Sequence, residues 1–474
     1  MEEKNKRYGM KIVPILCIIL AVIITYLPYF KNSFGIDTST MIMNQNQMLN
    51  GYLSQGRFGI VWLFELFIRH YNNQLIPFIV SPLLVIAGIY LYHILKKYDK
   101  ATSSFAAALF SIAFICNPIV YGQLYFKMQA FQILVGLFCV LLGVNLSLAR
   151  VKMPLKIVAI SVLFSFSLLI YQVFAFFIFS MILFCLYFFK EKRKEILQTM
   201  LSAWVIAAVI YFLSYFVGGL LIHYSSYGNE TYMMWNKLAE LSHLQKFGLL
   251  VIALLSLFYL VLIILILRRA RAKKEIEALL LTLFLTSILT FNMAFGNVRP
   301  APRVYFGTFS IVFASLLYLA VKKGGWLKYG AVVTLLLSMG FTFSLSTKAN
   351  VSYKNDQLLT QNIVTFTKEN KISQKQTNLV FIGNLQVGNQ GMINKFQDVF
   401  ITGATRTSFF QFDPALTTLR PYDFMKIEGY DFKIPDQNLR ATLALKYKNL
   451  PDYPSKESMI WDKNERSLVV KLSN

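Results

Sequence analysis

The sequence predicts a polytopic α-helical membrane protein with about eleven transmembrane helices, followed by a small C-terminal α/β domain. Three observations predict this fold. Of the 474 residues, 56% are hydrophobic and 15% aromatic, a composition typical of membrane proteins rather than soluble domains. Apolar stretches of about 18–20 residues recur along the chain, each long enough to cross a hydrocarbon core of ~30 Å. After residue 346 these stretches stop and Asn, Gln, Asp and Lys become frequent.

The apolar stretches give the individual spans. Residues 156–189 are too long for one helix, so they are divided near Tyr171 and Gln172 into two helices joined by a tight hairpin. The first stretch resembles a signal peptide, but no small-x-small cleavage site follows it, so it is predicted to remain as a helix. The predicted spans are 12–30, 75–95, 101–118, 131–149, 156–171, 172–189, 200–222, 247–267, 277–295, 304–321 and 328–346.

The basic residues predict how these spans are oriented, because lysine and arginine concentrate in short cytoplasmic loops. With the N-terminus inside, the cytoplasmic loops hold 22 basic residues and the outer loops of the membrane domain hold 8. The chain is therefore predicted to be a multi-pass protein of the cytoplasmic membrane with its C-terminal domain outside. These loops also explain much of the net charge of +24, so nucleic-acid binding is not expected.

Two domains are predicted, a transmembrane domain at 1–346 and an extracytoplasmic α/β domain at 347–474. In the second, β-like segments occur at 378–383 and 467–472, and a helical segment at 356–368 precedes them. No nucleotide-binding glycine motif occurs there. The domain is either an acceptor-binding module or a structural lid, and the sequence favours neither interpretation.

The first outer loop, at 31–74, is much longer than a helical hairpin needs. Its second half, at 57–69, is apolar, too short to span, and has an arginine at each end. Such a segment is expected to lie in the membrane interface with its arginines at headgroup depth. It is either a packing helix that seals the bundle or part of a ledge where a lipid phosphate meets an acceptor.

Two carboxylates of this loop are candidate catalytic residues. Asp37 lies about seven residues beyond the first span, and a carboxylate there can act as a general base for a sugar hydroxyl at the membrane surface. Glu65 stands alone in the apolar segment. It is expected either to point into a cavity or to pair with Arg57 or Arg69.

Three arginines are candidates for binding a lipid phosphate. Arg57 lies between Gly56 and Phe58-Gly59, where the backbone is open, and its planar guanidinium suits a phosphate better than lysine does. Arg299 and Arg303 flank two prolines in an outer loop, which makes a stiff basic corner. Alternatively, the Arg57 side chain only extends to the membrane surface. The loop with Arg299 and Arg303, in turn, only connects two helices.

Tyr171 and Gln172 at the predicted outer hairpin are expected to line the same cavity, although tyrosines there are also typical of the aromatic belt. The four cysteines lie inside apolar spans, and the four histidines lack zinc-ligand spacing. No metal site is therefore predicted from these residues.

Together, the candidate carboxylates and arginines match a transferase that uses a lipid-phosphate sugar donor. Such an enzyme needs one carboxylate to deprotonate the acceptor hydroxyl and one or two cations to stabilise the leaving phosphate. Asp37 fits the first role, and Arg57 or Arg303 fits the second. No nucleotide or redox cofactor is required.

With Asp37 in a long first outer loop, followed by Gly56-Arg57-Phe58, Tyr171-Gln172 and Pro302-Arg303, the chain resembles the bacterial glucosyltransferase II family. The resemblance covers the membrane domain and implies a GT-C-type fold. It also implies transfer of a single sugar, usually glucose, from an undecaprenyl-phosphate carrier to a surface polysaccharide on the outer side of the cytoplasmic membrane. The aspartate of the family's first outer loop corresponds to Asp37.

The chain departs from that family in one respect. Members often have two adjacent acids in the first loop, whereas this chain has Asp37-Thr38. It is open whether Glu65 supplies a second acid and whether a divalent metal takes part. The lysine- and asparagine-rich tail is typical of a low-GC Gram-positive bacterium, in which case the acceptor is a wall polysaccharide or teichoic acid.

Two other functions are compatible with the composition. A lipid-linked oligosaccharide flippase or other transporter should have inverted repeats and paired charges near the bilayer midplane, and the sequence has no internal repeat. A polysaccharide polymerase or ligase would share the basic outer loops without needing an acid in the first one.

Overall fold

A computed structural model describes residues 2–99, 101–221, 277, 279–287, 301–385, 392–402, 407–411 and 419–473 of the chain. These residues form a bundle of apolar helices around one large hydrophobic core. A smaller C-terminal lobe, residues 353–473, has a separate core on one face of its sheet and a small cluster on the other.

The bundle is built from long apolar helices and a few short ones near the first loop. Its α-helices are α1 (Glu2–Tyr26), α2 (Thr38–Met43), α3 (Gln45–Ser54), α4 (Phe58–Leu63), α5 (Ile76–Tyr98), α6 (Ser104–Ile115), α7 (Pro118–Leu124), α8 (Lys127–Leu148), α9 (Met153–Ile170), α10 (Phe174–Phe188), α11 (Arg193–Ile196), α12 (Ser202–Leu221), α13 (Phe306–Lys323) and α14 (Trp326–Glu369). Short 3-10 or π segments are Leu27–Phe30, Phe64–Ile68, Lys190–Lys192, Leu197–Leu201 and Pro302–Tyr305.

Seven helical segments of the described residues are long and apolar enough to cross a membrane, and the bent pair of α6 and α7 would make an eighth. The chain is thus a membrane protein, but the predicted total of about eleven spans is not confirmed. The span predicted at 247–267 lies outside the described residues, as does much of that at 277–295. At 172–189 the structure has α10, whose 15 residues fall short of the ~20 that a bilayer crossing needs.

Local chemistry explains where the apolar stretches break. The division predicted near Tyr171 is confirmed, because α9 ends at Ile170 and α10 begins at Phe174. The stretch predicted as one span at 101–118 ends instead in a bend of 43° between α6 and α7. Pro118 cannot donate to the preceding turn, and the side chain of Asn117 caps α7 by accepting from the next two backbone N–H groups.

The C-terminal lobe has a three-stranded sheet in the order β1-β3-β2, with β1 parallel and β2 antiparallel to the central β3. Its strands confirm the two predicted β segments and add a third. Its elements are α15 (Met392–Thr402), α16 (Arg420–Ile427), α17 (Gln437–Lys446), β1 (Asn378–Ile382), β2 (Met459–Asp462) and β3 (Ser467–Lys471).

Helix α14 and the first loop join the lobe to the bundle. The boundary predicted between residues 346 and 347 falls inside α14, which runs unbroken for 44 residues from an apolar half into a polar half. In the polar half, the buried carboxylate of Asp356 accepts from the Ser408 hydroxyl at 2.5 Å and from the Phe409 N–H at 2.8 Å. The helix is therefore shared between the two cores.

Candidate active site

Asp37 lies at the start of α2, where the first loop passes between the bundle and the C-terminal lobe. Its carboxylate accepts from Nη1 of Arg420 at 2.9 Å, and both side chains are partly exposed. Arg420 begins α16, which packs against α2. An accessible carboxylate at one end of the bundle, held by a guanidinium, can accept a proton from a bound hydroxyl once that pairing is released.

Contacts on both sides fix the loop that carries Asp37. Phe34 inserts into the core of the C-terminal lobe, with its ring 5.0 Å from that of Tyr353 and 5.4 Å from that of Phe409. From the bundle, the buried Lys127 ammonium donates to the carbonyl of Lys31 at 3.1 Å and to that of Ser33 at 2.8 Å. The loop is therefore attached both to the C-terminal lobe and to the bundle.

A small cavity lies beneath this loop. Tyrosine rings form much of its wall, and the Lys127 ammonium lies over the ring of Tyr29 at 5.0 Å. The lining residues are Tyr29, Ser33, Phe34, Gly35, Tyr121, Tyr125, Lys127, Ser346, Ala349 and Asn350. Most of the residues that line the cavity are polar.

Arg57 follows α3 in a turn that only glycine allows. Gly56 has φ +70°, and a Cβ there would lie 2.4 Å from the ring of the buried Tyr215. The turn points the Arg57 guanidinium over the ring of Tyr171 at 4.7 Å and towards that of Tyr52 at 6.0 Å. Nε of Arg57 is buried without a hydrogen-bond partner among the described residues. This donor is available to a ligand oxygen.

We expect Gly56→Ala to lower both thermal stability and activity. The left-handed backbone costs a non-glycine residue roughly 1–2 kcal/mol, and the clash with Tyr215 displaces the turn that carries Arg57. Gly51→Ala is the matched control, because its Cβ has nothing within 4 Å and it lies inside α3. Melting of the purified variants checks this: Gly51→Ala should melt at or above wild type, and equal melting of both variants would contradict the account.

Tyr171 and Gln172 lie at the same place as Arg57. Tyr171 is buried under the guanidinium, and Nε2 of Gln172 donates to the backbone carbonyl of Gln55 at 2.6 Å. The hairpin between α9 and α10 is thereby attached to the turn at Gly56. Three of the residues singled out from the sequence, Arg57, Tyr171 and Gln172, thus form one cluster.

Tyr52 connects this cluster to Asp37. Burial raises the pKa of Tyr52 well above its usual value, the Arg57 guanidinium opposes that rise, and the Asp37 carboxylate adds to it. The Tyr52 ring lies 6.0 Å from the Arg57 guanidinium. The hydroxyl is buried without a hydrogen-bond partner among the described residues.

The other predicted site residues are placed differently. Glu65 is exposed on the π turn after α4 and forms no ion pair or hydrogen bond with any described residue, so neither contact expected for it, with Arg57 or Arg69, is present. Arg303 lies over the ring of Phe126 at 4.2 Å and donates through Nη1 to the carbonyl of Thr402 at 2.5 Å. It therefore attaches α15 to the bundle. Arg299 lies outside the described residues.

Sequence reasoning missed Arg420 and Tyr52. Arg420 is 383 positions from Asp37, and no local pattern relates them. Tyr52 lies in a polar segment of the first loop and resembles any interfacial tyrosine. Within the described ranges, no group of three or more His, Cys, Asp or Glu side chains is placed to hold a metal ion.

The chain matches a known protein family. The family described as Glucosyl transferase GtrII matches residues 26–314, which is more than half of the chain. The matched segment includes Asp37, Arg57, Tyr171 and Arg303, and it ends before the C-terminal lobe that carries Arg420. Comparison with curated proteins and with solved structures gives no match.

Proposed function

The chain belongs to the glucosyl transferase GtrII family, and on that premise we propose that it transfers a single glucose from an undecaprenyl-phosphate carrier to a cell-surface polysaccharide or teichoic acid. The reaction takes place on the outer face of the cytoplasmic membrane, with Asp37 as the general base. The observation that carries the proposal lies at one end of the apolar bundle. There the Asp37 carboxylate pairs with Arg420 at 2.9 Å, and the Arg57 guanidinium lies over the Tyr171 ring at 4.7 Å with its Nε unpaired among the described residues.

The proposed reaction uses these two charges in one step. Asp37 takes the proton of an acceptor hydroxyl, and the acceptor oxygen forms a bond to C1 of the sugar. The bond between C1 and the phosphate oxygen breaks, and the polyprenyl phosphate leaves with the electron pair. Arg57 stabilises the charge that develops on that phosphate, with its unpaired Nε as a donor. The apolar bundle gives the polyprenyl chain a lipid environment next to the site.

Arg420 supplies a second cation from the C-terminal lobe. In the structure it pairs with Asp37, and a donor phosphate arriving near Arg57 would compete for it. Transfer of Arg420 from the carboxylate to the phosphate would release Asp37 as a base when the donor is bound. Through Arg420, the C-terminal lobe would then contribute to catalysis in addition to covering the first loop.

We expect Arg420→Ala to lower transfer by about tenfold or more, because a charge-assisted hydrogen bond is worth roughly 1.5–3 kcal/mol. Lys426→Ala, which removes a positive charge from an exposed position of the same helix, is the matched control and should leave transfer unchanged. Initial rates of purified variants at equal protein check this prediction. Equal rates for Arg420→Ala and Lys426→Ala would exclude the second-cation role.

The donor class is tested with purified protein in detergent. Glucose is offered either as a short polyprenyl-phosphate ester or as a nucleotide diphosphate sugar, with isolated wall polysaccharide as the acceptor. The proposal expects polyprenyl phosphate to be released only when the acceptor is present, and the nucleotide sugar to be inert. Transfer from the nucleotide sugar alone would contradict it.

A further inference from the structure

Several buried polar atoms near the Arg57 cluster have no hydrogen-bond partner among the described residues. Both the carbonyl oxygen and the amide nitrogen of Gln132 are unpaired, and its side chain is fully buried in α8. Oε1 of Gln55 is also unpaired, in addition to the Tyr52 hydroxyl and the Arg57 Nε already described. Buried polar atoms are nearly always paired, because leaving one unsatisfied is costly. A group of them in one region therefore requires an explanation.

The neighbours of Gln132 along α8 locate it between the two halves of the candidate site. One turn before it, Met128 Sδ accepts from the hydroxyl of Thr38, the residue after Asp37, at 3.4 Å. One turn after it, Gly136 lies so close to Phe174 that a Cβ there would be 2.6 Å from that ring. Residues four apart share one face of a helix and are separated by ~6 Å along its axis. The face of α8 that carries Gln132 thus lies between the start of α2 and the hairpin that carries Tyr171.

The unpaired atoms indicate what kind of ligand these side chains would bind. Arg57 Nε is a donor, so it suits a phosphate oxygen. Oε1 of Gln55 and Oε1 of Gln132 are acceptors, and a phosphate ester ionised at neutral pH has no proton to give them. Sugar hydroxyls both donate and accept, which also matches the amide nitrogen of Gln132 and the hydroxyl of Tyr52. A sugar joined to a phosphate therefore has the hydrogen-bond donors and acceptors that would pair with all of these atoms.

We propose that Gln132, Gln55 and Tyr52 form the pocket that binds the hydroxyl groups of the donor's sugar and so selects which sugar is transferred. The inference rests on the proposed function, since it places the sugar between Asp37 and the phosphate held by Arg57. Such a pocket would discriminate between sugars, because a sugar with one hydroxyl in a different position leaves a buried glutamine oxygen without a hydrogen-bond partner. Gln132 lies inside an apolar span, where a buried amide without a ligand destabilises the protein.

The test uses thermal melting of purified wild type and variants in detergent. Each is melted alone, with short-chain polyprenyl phosphate, and with the glucosyl ester of the same polyprenyl phosphate. The sugar-free lipid measures the phosphate site, and the additional shift with the glucosyl ester measures the sugar pocket. The variants are Gln132→Met, Gln55→Met and Thr360→Val. The last removes another buried unpaired hydroxyl, in the C-terminal lobe, and serves as the control.

For Gln132→Met we expect a higher melting temperature than wild type without lipid, because an unpaired buried amide is replaced by an apolar chain of similar volume. The shift with polyprenyl phosphate should be retained, and the additional shift with the glucosyl ester should be lost, with affinity for that ester reduced about tenfold to a hundredfold. Thr360→Val should keep both shifts.

Two results would overturn the inference in distinguishable ways. If Gln132→Met keeps the full additional shift with the glucosyl ester, Gln132 does not touch the sugar, and its unpaired amide is satisfied by water. If wild type shows no shift with either lipid, the donor class is wrong, and the proposed function falls together with the pocket. Should Gln132→Met fail to fold, Gln55→Met carries the same comparison, because Gln55 lies in a loop at the bundle end.

Discussion

We expect Asp37→Asn to abolish sugar transfer while the protein still folds and inserts in the membrane. Removing a general base is expected to lower turnover by about 10²- to 10⁴-fold, because the acceptor hydroxyl then has no group to take its proton. The substitution keeps the shape of the side chain and can still accept a hydrogen bond from Arg420. The ion pair it weakens is partly exposed on both sides, so its loss is expected to cost about 1 kcal/mol or less.

This result is measured as the initial rate of glucose transfer from the short polyprenyl ester, at matched protein levels. Melting and size-exclusion profiles of Asp37→Asn establish that it is folded. Glu65→Gln is the matched control, since this exposed acid forms no ion pair with any described residue of the chain. Full activity of Asp37→Asn would remove Asp37 from the mechanism, and a comparable loss in Glu65→Gln would give the second acid of the loop a role.

Arg57→Gln is expected to lower kcat by about 10²- to 10³-fold, the usual cost of removing a donor that stabilises charge developing in the transition state. Arg57→Lys keeps the charge but loses the planar guanidinium over Tyr171, so it should recover only part of the rate. The loss should appear in kcat more than in KM, because the phosphate gains charge as it leaves.

Arg69→Lys is the matched control for Arg57→Lys. It lies at the other end of the same apolar segment and is exposed, so a role limited to positioning that segment at the membrane surface would affect both arginines alike. A specific loss in Arg57→Lys supports phosphate binding. Equal small losses in the two variants would show that Arg57 only anchors the segment, which is the alternative that its sequence context left open.

Much of the bundle follows from hydrophobic length alone. The division at Tyr171 is predictable because a single helix over the largely apolar stretch 156–189 would be too long for a bilayer core of ~30 Å. The turn at Gly56 is also predictable in kind, since a glycine before an arginine permits a backbone that other residues avoid. The bend at Asn117 is harder to predict, because Pro118 lies at the end of an apolar run where a helix could simply stop.

The rest of the site depends on contacts that a sequence does not encode locally. The pairing of Asp37 with Arg420 and the insertion of Phe34 into the C-terminal core join segments more than 300 residues apart. Gln132 is one of several polar residues in α8, and its burial without a partner among the described residues is visible only in the structure. Helix α14 continues through the predicted domain boundary. The change in composition at that boundary marks a change in the surroundings of the helix and does not mark its end.

We propose that the Asp37 end of the bundle adds a single sugar to a surface polymer. The most direct measurement is the sugar composition and linkage of surface polysaccharide from cells whose only copy of the protein is wild type or Asp37→Asn, at matched membrane levels. We expect the Asp37→Asn cells to lose one branch sugar, glucose, from a polymer whose backbone is intact. An unchanged polymer in those cells would contradict it.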